Sequence, residues 1–220
     1  MAGIQLYDHW RSSSAFRVRI ALNYKDVEYV AISVDPAAGE ADQAAYRAVN
    51  PMGSVPTLVD GERVFTQSLA IIEYLDDAFP EPPLLPHSAR DRAHARAMAQ
   101  MIASDVQPMN CGRVKRYLAE HNGLTEEQWL QWSRHWIREG LNALEVCLRK
   151  DLAAGSFLMG DSPTIADCCL IPELYNARQV GLDVSDLGGL LEVEARCMEL
   201  PAFRDALPEE QPDAKEFAEP

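Results

Sequence analysis

The sequence predicts an α/β domain followed by an all-helical one. Three observations carry this reading: strand and helix signals alternate through the first eighty residues, four prolines crowd into 80–86, and only helical spacing follows them. Ile4 to Tyr7 is a short apolar run that reads as a strand. Phe16, Ile20 and Ala21 recur at helical steps, so 16–22 reads as a helix. The β-rich stretch from Val27 to Val34 reads as a second strand. Thr57 to Asp60, then Gly61, then Arg63 to Phe65 predict a hairpin, because Asp-Gly between two short apolar runs favours a tight turn. Leu69, Ile72 and Leu75 share one face of a helix from Ser68 to Leu75. A strand–helix–strand half followed by a hairpin and a helix is the layout of a thioredoxin-like sandwich.

Pro80, Pro82, Pro83 and Pro86 remove backbone donors and block helix, which marks a linker. Beyond it Ala93, Ala97, Met98, Met101, Ile102 and Val106 keep three- and four-residue steps, as do Trp129, Trp132, Trp136, Leu141, Leu144 and Leu148. The expected division is a thioredoxin-like domain over 1–83 and an all-helical domain over 88–220. Thr164 and Asp167 have capping-box spacing, a folding signal rather than a catalytic one. Pro172 is expected to kink or locally adjust the helix it sits in. The Pro-, Glu- and Asp-rich tail from Pro208 is expected to fray.

A chain of 220 residues is long enough to bury a sizeable core. Its 20 basic and 34 acidic residues leave a net charge of −14, which argues against general affinity for nucleic acid or an anionic membrane. No apolar run approaches the roughly 18 residues of a membrane span, and the first ten residues have neither a basic start nor an apolar signal core. A cytoplasmic protein is expected. Cys111, Cys147, Cys168, Cys169 and Cys197 are odd in number and contain no C-x-x-C, which predicts buried thiols rather than disulfides or zinc. His9, His87, His94, His121 and His135 show no metal-ligand spacing, and no nucleotide-binding glycine motif is present.

Four groups of residues could carry chemistry. Trp10-Arg11-Ser12-Ser13-Ser14 lies between the first strand and the first helix. A serine there can cap the helix, or its hydroxyl and the free amides can face an anion. A thiolate is one such anion: a thiol of pKa about 8.5 is only a few per cent ionised at neutral pH, and lowering it by two units takes about 2.7 kcal/mol. Asn50-Pro51-Met52-Gly53-Ser54-Val55-Pro56-Thr57 places a proline before the hairpin; if cis, it would expose the Val55 backbone to an extended peptide, and otherwise it simply starts a strand. Gln67-Ser68 opens the next helix, with Ser68 expected as its cap or as a carboxylate ligand. Arg11, Arg17 and Arg19 gather near the serine turn, Arg113, Lys115 and Arg116 form a second basic group, and Arg178 follows. They are either solvated helix faces or a means of focusing an anionic substrate.

Taken in order, Arg11-Ser12-Ser13-Ser14-Ala15-Phe16-Arg17-Val18-Arg19-Ile20-Ala21-Leu22, then Asn50-Pro51-Met52, Val55-Pro56-Thr57-Leu58, Gln67-Ser68-Leu69-Ala70-Ile71-Ile72-Glu73-Tyr74-Leu75, Leu84-Leu85-Pro86, Gln107-Pro108 and Thr164-Ile165-Ala166-Asp167 resemble the zeta-class glutathione transferases. That class includes maleylacetoacetate and maleylpyruvate isomerases. The resemblance implies the glutathione transferase fold, glutathione as cofactor, a small anionic enone as substrate and a homodimer. It implies reversible thiolate addition that lets a dicarboxylic enone change from cis to trans. The alternative is a transferase that conjugates or dehalogenates small electrophiles. Ser12, Ser13 and Ser14 fall at the thiol-activating turn, Val55 at the contact to the tripeptide's cysteine, Gln67 and Ser68 at the γ-glutamyl end, and Gln107 on the helical side. Arg11 corresponds to a substrate-carboxylate ligand, Arg113 falls with Gln107 on the helical side of the pocket, and Arg178 would bind substrate through a small register change, or else substrate binding differs. Two positions depart from the family pattern: Ser14 stands where cysteine is common, and Gln179 stands where an arginine is expected, one residue after Arg178.

Overall fold

The computed structural model describes residues 3–151 and 154–216. These form two compact units: the first joins the chain up to Leu84 with the chain from Met198 onward, and the second runs from Leu85 to Cys197.

In the first unit, β1 (Ile4–Asp8) is followed by α1 (Ser13–Tyr24), β2 (Tyr29–Ser33), α2 (Ala44–Val49), β3 (Thr57–Asp60), β4 (Arg63–Thr66) and α3 (Ser68–Ala78). The four strands order as β2-β1-β3-β4. β1 and β2 run parallel, whereas β3 lies antiparallel to both β1 and β4. This is the expected βαβ–ββα sandwich, with each helix longer than the apolar steps alone marked. Gly61 takes the left-handed conformation (φ 58°) that the hairpin needs, and glycine adopts it without steric cost. Leu6, Phe16, Val18, Ile20, Leu22, Leu58, Ile71, Ile72 and Leu75 are fully buried between sheet and helices. Each such side chain contributes roughly 1.5–3 kcal/mol of transfer free energy.

The tail groups with the first unit by its contacts, whereas the expected helical domain ran to 220. Fraying was expected from Pro208, but α9 (Pro201–Arg204) and α10 (Pro212–Glu216) are formed, and the part of that expectation that falls on 217–220 lies outside the described residues. The reason is specific bonding: Asn23 Nδ2 donates to Ala202 O at 3.3 Å, Arg19 Nε donates to Ala206 O at 3.1 Å, and Trp10 N–H donates to Asp213 Oδ2 at 3.0 Å. Acidic composition suggested solvation, but one carboxylate here has a backbone donor to satisfy.

The second unit is helical. α4 (Ala89–Gln100) passes through a π-helical turn at Met101–Val106 and a 3-10 turn at Gln107–Asn110 before α5 (Gly112–Asn122), α6 (Glu126–Lys150), α7 (Ile165–Gln179) and α8 (Gly188–Met198). Gly140 lies inside α6, where glycine costs roughly 1 kcal/mol. A Cβ at that position would stand 2.1 Å from Val106 Cγ2, so the missing side chain lets α6 approach the π turn. Trp132 Nε1 donates to Met109 O at 2.9 Å and ties the next turn to the same helix. α7 continues through Pro172. Its start is the predicted capping box, in which Asp167 also accepts from Leu158 N–H. The five cysteines are free; Cys168, Cys169 and Cys197 are buried, whereas Cys111 and Cys147 are half-buried. Among the described residues, no helix is long and apolar enough to cross a membrane.

Candidate active site

Sheet register gathers the candidates of the first unit at one end. Tyr7 lies opposite Thr57, and Thr57 lies opposite Thr66. These three residues form one cross-strand row. The chain leaving β1 toward Ser12, the chain entering β3 through Val55, and the chain leaving β4 toward Gln67 therefore emerge from the same edge.

Ser12 is the N-cap of α1 with extended backbone, and its Oγ accepts from Ala15 N–H at 3.2 Å. A hydroxyl that accepts this bond keeps its own proton for donation. The cap and anion readings are thus compatible. Ser13 and Ser14 occupy the first two helical positions, whose amides have no partner within the helix. No acidic residue stands in the first turn of α1. The N-terminal end of this helix combines free amides, a hydroxyl proton and the positive end of the helix dipole.

The loop before it is held from below. Arg19 is fully buried, which corrects both readings of it as a solvated or substrate-focusing charge. Its Nη1 reaches both Asp8 carboxylate oxygens, at 2.9 and 3.1 Å, while Nη2 donates to Trp10 O at 3.1 Å. A planar fork can serve several fixed acceptors at once. Burial pushes the Asp8 carboxyl up against the opposing pull of Arg19. Arg17 is also buried, so it too is no surface charge; its Nε and Nη2 have no partner among the described residues. Arg11 is exposed, its guanidinium carbon 5.5 Å from the centroid of the Trp10 ring. Burial pushes the His9 imidazole down, which favours its neutral form.

The Val55–Pro56 peptide is cis. Its frame comes from Asn50 and Tyr46: Asn50 Nδ2 donates to Ser54 O at 2.8 Å and to Thr57 Oγ1 at 2.9 Å, and Tyr46 Oη donates to Ser54 O at 2.7 Å. Neither the amide nor the carbonyl of Val55 has a partner among the described residues. Strand-like backbone with both groups unspent can pair with an extended ligand.

Ser68 does not cap α3, contrary to expectation. Gln67 holds the cap position, and no side chain bonds the first amides there. Ser68 is instead the first helical residue and is buried. Gln67 has φ 70° and ψ 113°, a backbone state that costs a non-glycine residue on the order of 1–3 kcal/mol. With no side-chain cap, the start of α3 stays open.

In the second unit, Gln107 opens the 3-10 turn tied down by α6, and Arg113 lies exposed in the first turn of α5. Lys115 pairs with Glu126 at 2.6 Å. Arg178 is already engaged: Nη1 and Nη2 each contact a Glu194 carboxylate oxygen at 2.5 Å. Sequence reading missed Asn50, Tyr46 and Asp213 as supports. The Asn50-Pro51 pair carried a turn signal for the first, but nothing local could join Trp10 to a carboxylate 203 positions away.

Comparison with known proteins gives the family. Residues 2–77 match the model of the glutathione S-transferase N-terminal domain, and residues 127–208 match that of the C-terminal domain. A Vibrio cholerae protein named probable maleylacetoacetate isomerase is 43% identical over 216 residues, covering 97% of this chain and 100% of that one. The holo structure of a maleylpyruvate isomerase, described as a bacterial glutathione S-transferase of the zeta class, superposes with a TM-score of 0.93 at 40% identity, covering 95% of this chain and 99% of the other. A Methylobacterium extorquens maleylacetoacetate isomerase with bound malonate and glutathione gives a TM-score of 0.93 at 38% identity over 95% of this chain and 98% of its own.

Proposed function

Since this chain belongs to the zeta-class glutathione transferases, we propose that it is a glutathione-dependent cis–trans isomerase of a dicarboxylic enone such as maleylpyruvate or maleylacetoacetate. The single observation that carries the reading is the open N-terminus of α1, where Ser12 has accepted one bond and retains a donor.

The residues present fit glutathione. Val55 offers an unpaired amide and carbonyl to the tripeptide backbone. Gln67 and Ser68 offer polar groups beside the uncapped α3 for the γ-glutamyl end. Ser12, Ser13 and Ser14 offer a hydroxyl and free amides for the sulfur, and Gln107 is carried over as a further glutathione ligand by the family resemblance alone. Glutathione, when bound, supplies a thiol whose anion adds reversibly to the conjugated double bond so that the bond can rotate.

The chain's own contribution is electrostatic. Ser12 keeps the thiol ionised by donating to it, with Ser13 in support, and the α1 dipole favours the anionic form. Arg11 and Arg113 hold the substrate carboxylates and oppose the negative charge that develops during rotation. Arg178 joins them only by exchanging Glu194 for a substrate carboxylate. Asp8 and Arg19 keep the loop that carries Arg11 in place.

The test is an absorbance assay of maleylpyruvate and maleylacetoacetate with and without glutathione, followed by thiol titration. Turnover is expected only with glutathione and without loss of free thiol; stoichiometric thiol consumption would indicate conjugation instead. A cytoplasmic homodimer is part of the same reading, with light scattering expected to give twice the 24.5 kDa chain mass.

A further inference from the structure

The Trp10 peptide is gripped on both sides. Its N–H donates to Asp213 Oδ2 at 3.0 Å, and its carbonyl accepts from Arg19 Nη2 at 3.1 Å. Both grips lead to the same stretch of chain, because Arg19 Nε donates to Ala206 O. That stretch is itself fastened. Buried Gln211 donates from Nε2 to Asp205 O at 2.9 Å and to Leu207 O at 2.8 Å, and Pro208 and Ala214 are buried. Asp213 Oδ2 also accepts from Ser33 Oγ at 3.1 Å, so the carboxylate bridges β2 and the loop.

We infer that the chain from Asp205 to Ala214 is a strap that positions the Arg11–Ser12 loop, with the Asp213 carboxylate as its working contact. The inference rests on the proposed reading of that loop as the site. Asp213 touches neither substrate nor sulfur in this account and is a positioning residue. Its leverage comes from sequence proximity: Trp10 precedes Arg11, and the Trp10 ring lies under the Arg11 guanidinium. Freeing the Trp10 amide releases the backbone and the ring that set where Arg11 points. Ser12 is less exposed to this change, since its own N–H is held by His9 O at 2.9 Å and its Oγ by Ala15 N–H. Loss of the strap contact should therefore harm recognition of a dicarboxylate more than binding of glutathione.

The experiment compares Asp213→Ala, Asp213→Asn, Arg11→Ala and the Arg11→Ala/Asp213→Ala pair in the full-length protein, with Glu210→Ala on the exposed side of the strap as control. Asp213→Ala is expected to raise KM for the dicarboxylic enone about tenfold, below the roughly hundredfold that a misplacement of about 1 Å can cost. Glutathione affinity by calorimetry should stay within about twofold, because Ser12 keeps its own bonds. Hydrogen exchange at the Trp10 amide should lose its protection in Asp213→Ala and keep it in Asp213→Asn, which retains an acceptor. KM should recover in Asp213→Asn, which also keeps the test valid if the alanine variant folds poorly. The double variant should be no worse than Arg11→Ala alone, because a residue acting through another is not additive with it. Additive losses, or an unchanged Trp10 amide in Asp213→Ala, would overturn the inference. An Arg11→Ala effect that Asp213→Ala does not share overturns it alone, whereas Arg11→Ala without effect overturns the site reading as well.

Discussion

Four described helices begin on a capping hydroxyl, at Ser12, Ser88, Thr125 and Thr164, and the first and last of them use it differently. At α7, Thr164 Oγ1 accepts from Ala166 N–H and donates to Asp167 Oδ2, and the Asp167 carboxylate reaches back to Thr164 N–H at 2.7 Å and across to Leu158 N–H at 2.9 Å. The cap is closed and buried. At α1, Ser12 makes a single cap bond, and the third helical position is Ala15, which has nothing to return. The α7 end has used its polar groups for folding, and the α1 end keeps a donor for a ligand. The presence of a carboxylate at the third helical position separates the two.

The largest expected effect breaks this contrast at its open end. Ser12→Ala combined with Ser13→Ala should lower kcat/KM by about 10²–10³, the usual loss when a donor to developing charge is removed. Thermal stability should fall by only about 1 kcal/mol, the typical worth of an N-cap. Thr164→Ala should show the converse, a stability loss with kcat unchanged. Steady-state kinetics beside calorimetric melting checks both. Undiminished kcat/KM in the double serine variant would remove the thiolate role from this turn.

The closed end has a signature of its own in pH. Burial pushes the Asp167 carboxyl up to about 6 despite the donors that favour its anion. The folded state then holds a proton that the unfolded state has released, so stability contributed by protonated Asp167 declines as pH rises from about 4 to 6. Over a shift of roughly two units this amounts to about 3 kcal/mol. Asp167→Asn should be less stable than the parent at pH 4, and the gap should narrow toward pH 7. Denaturant melts at pH 4, 5, 6 and 7 measure it; a constant gap would mean that Asp167 titrates alike folded and unfolded.

This contrast also shows what was legible in the sequence. Capping-box spacing at Thr164 and Asp167, the Asp60-Gly61 turn and the apolar steps of the helices are local patterns, and local geometry follows from them. The strand–helix order and the serine turn were visible for the same reason. Ser68 misled because a hydroxyl at a helix start usually caps, whereas here Gln67 takes the cap position in a left-handed backbone state. Arg19 misled because charge normally implies solvent, yet Asp8 and three carbonyls pair it inside the fold. The bond from Trp10 to Asp213 was beyond reach, since nothing near either residue encodes a partner 203 positions away. Arg178 was readable as a residue but not as one already paired with Glu194.

The smallest expected effect sharpens the contrast by converting one end into the other. Ala15→Glu would place a carboxylate at the third position of α1, where it can complete a capping box only by taking the Ser12 backbone amide from His9 O. An acidic first turn complements the helix dipole, which is worth about 0.3–1 kcal/mol where the charge stays solvated. The same negative charge would compete with a thiolate for that end of the helix. Ala15 is fully buried, so a longer side chain must either turn toward the open end or cost packing, and Ala15→Gln controls for size without charge. Glutathione affinity should fall about tenfold in Ala15→Glu, equivalent to about 1.4 kcal/mol, and markedly less in Ala15→Gln. The thiolate absorbance of the bound tripeptide should titrate at higher pH in the glutamate variant alone. Equal behaviour of the two variants would mean that the open end of α1 excludes ligands by shape and has no preference for an anion.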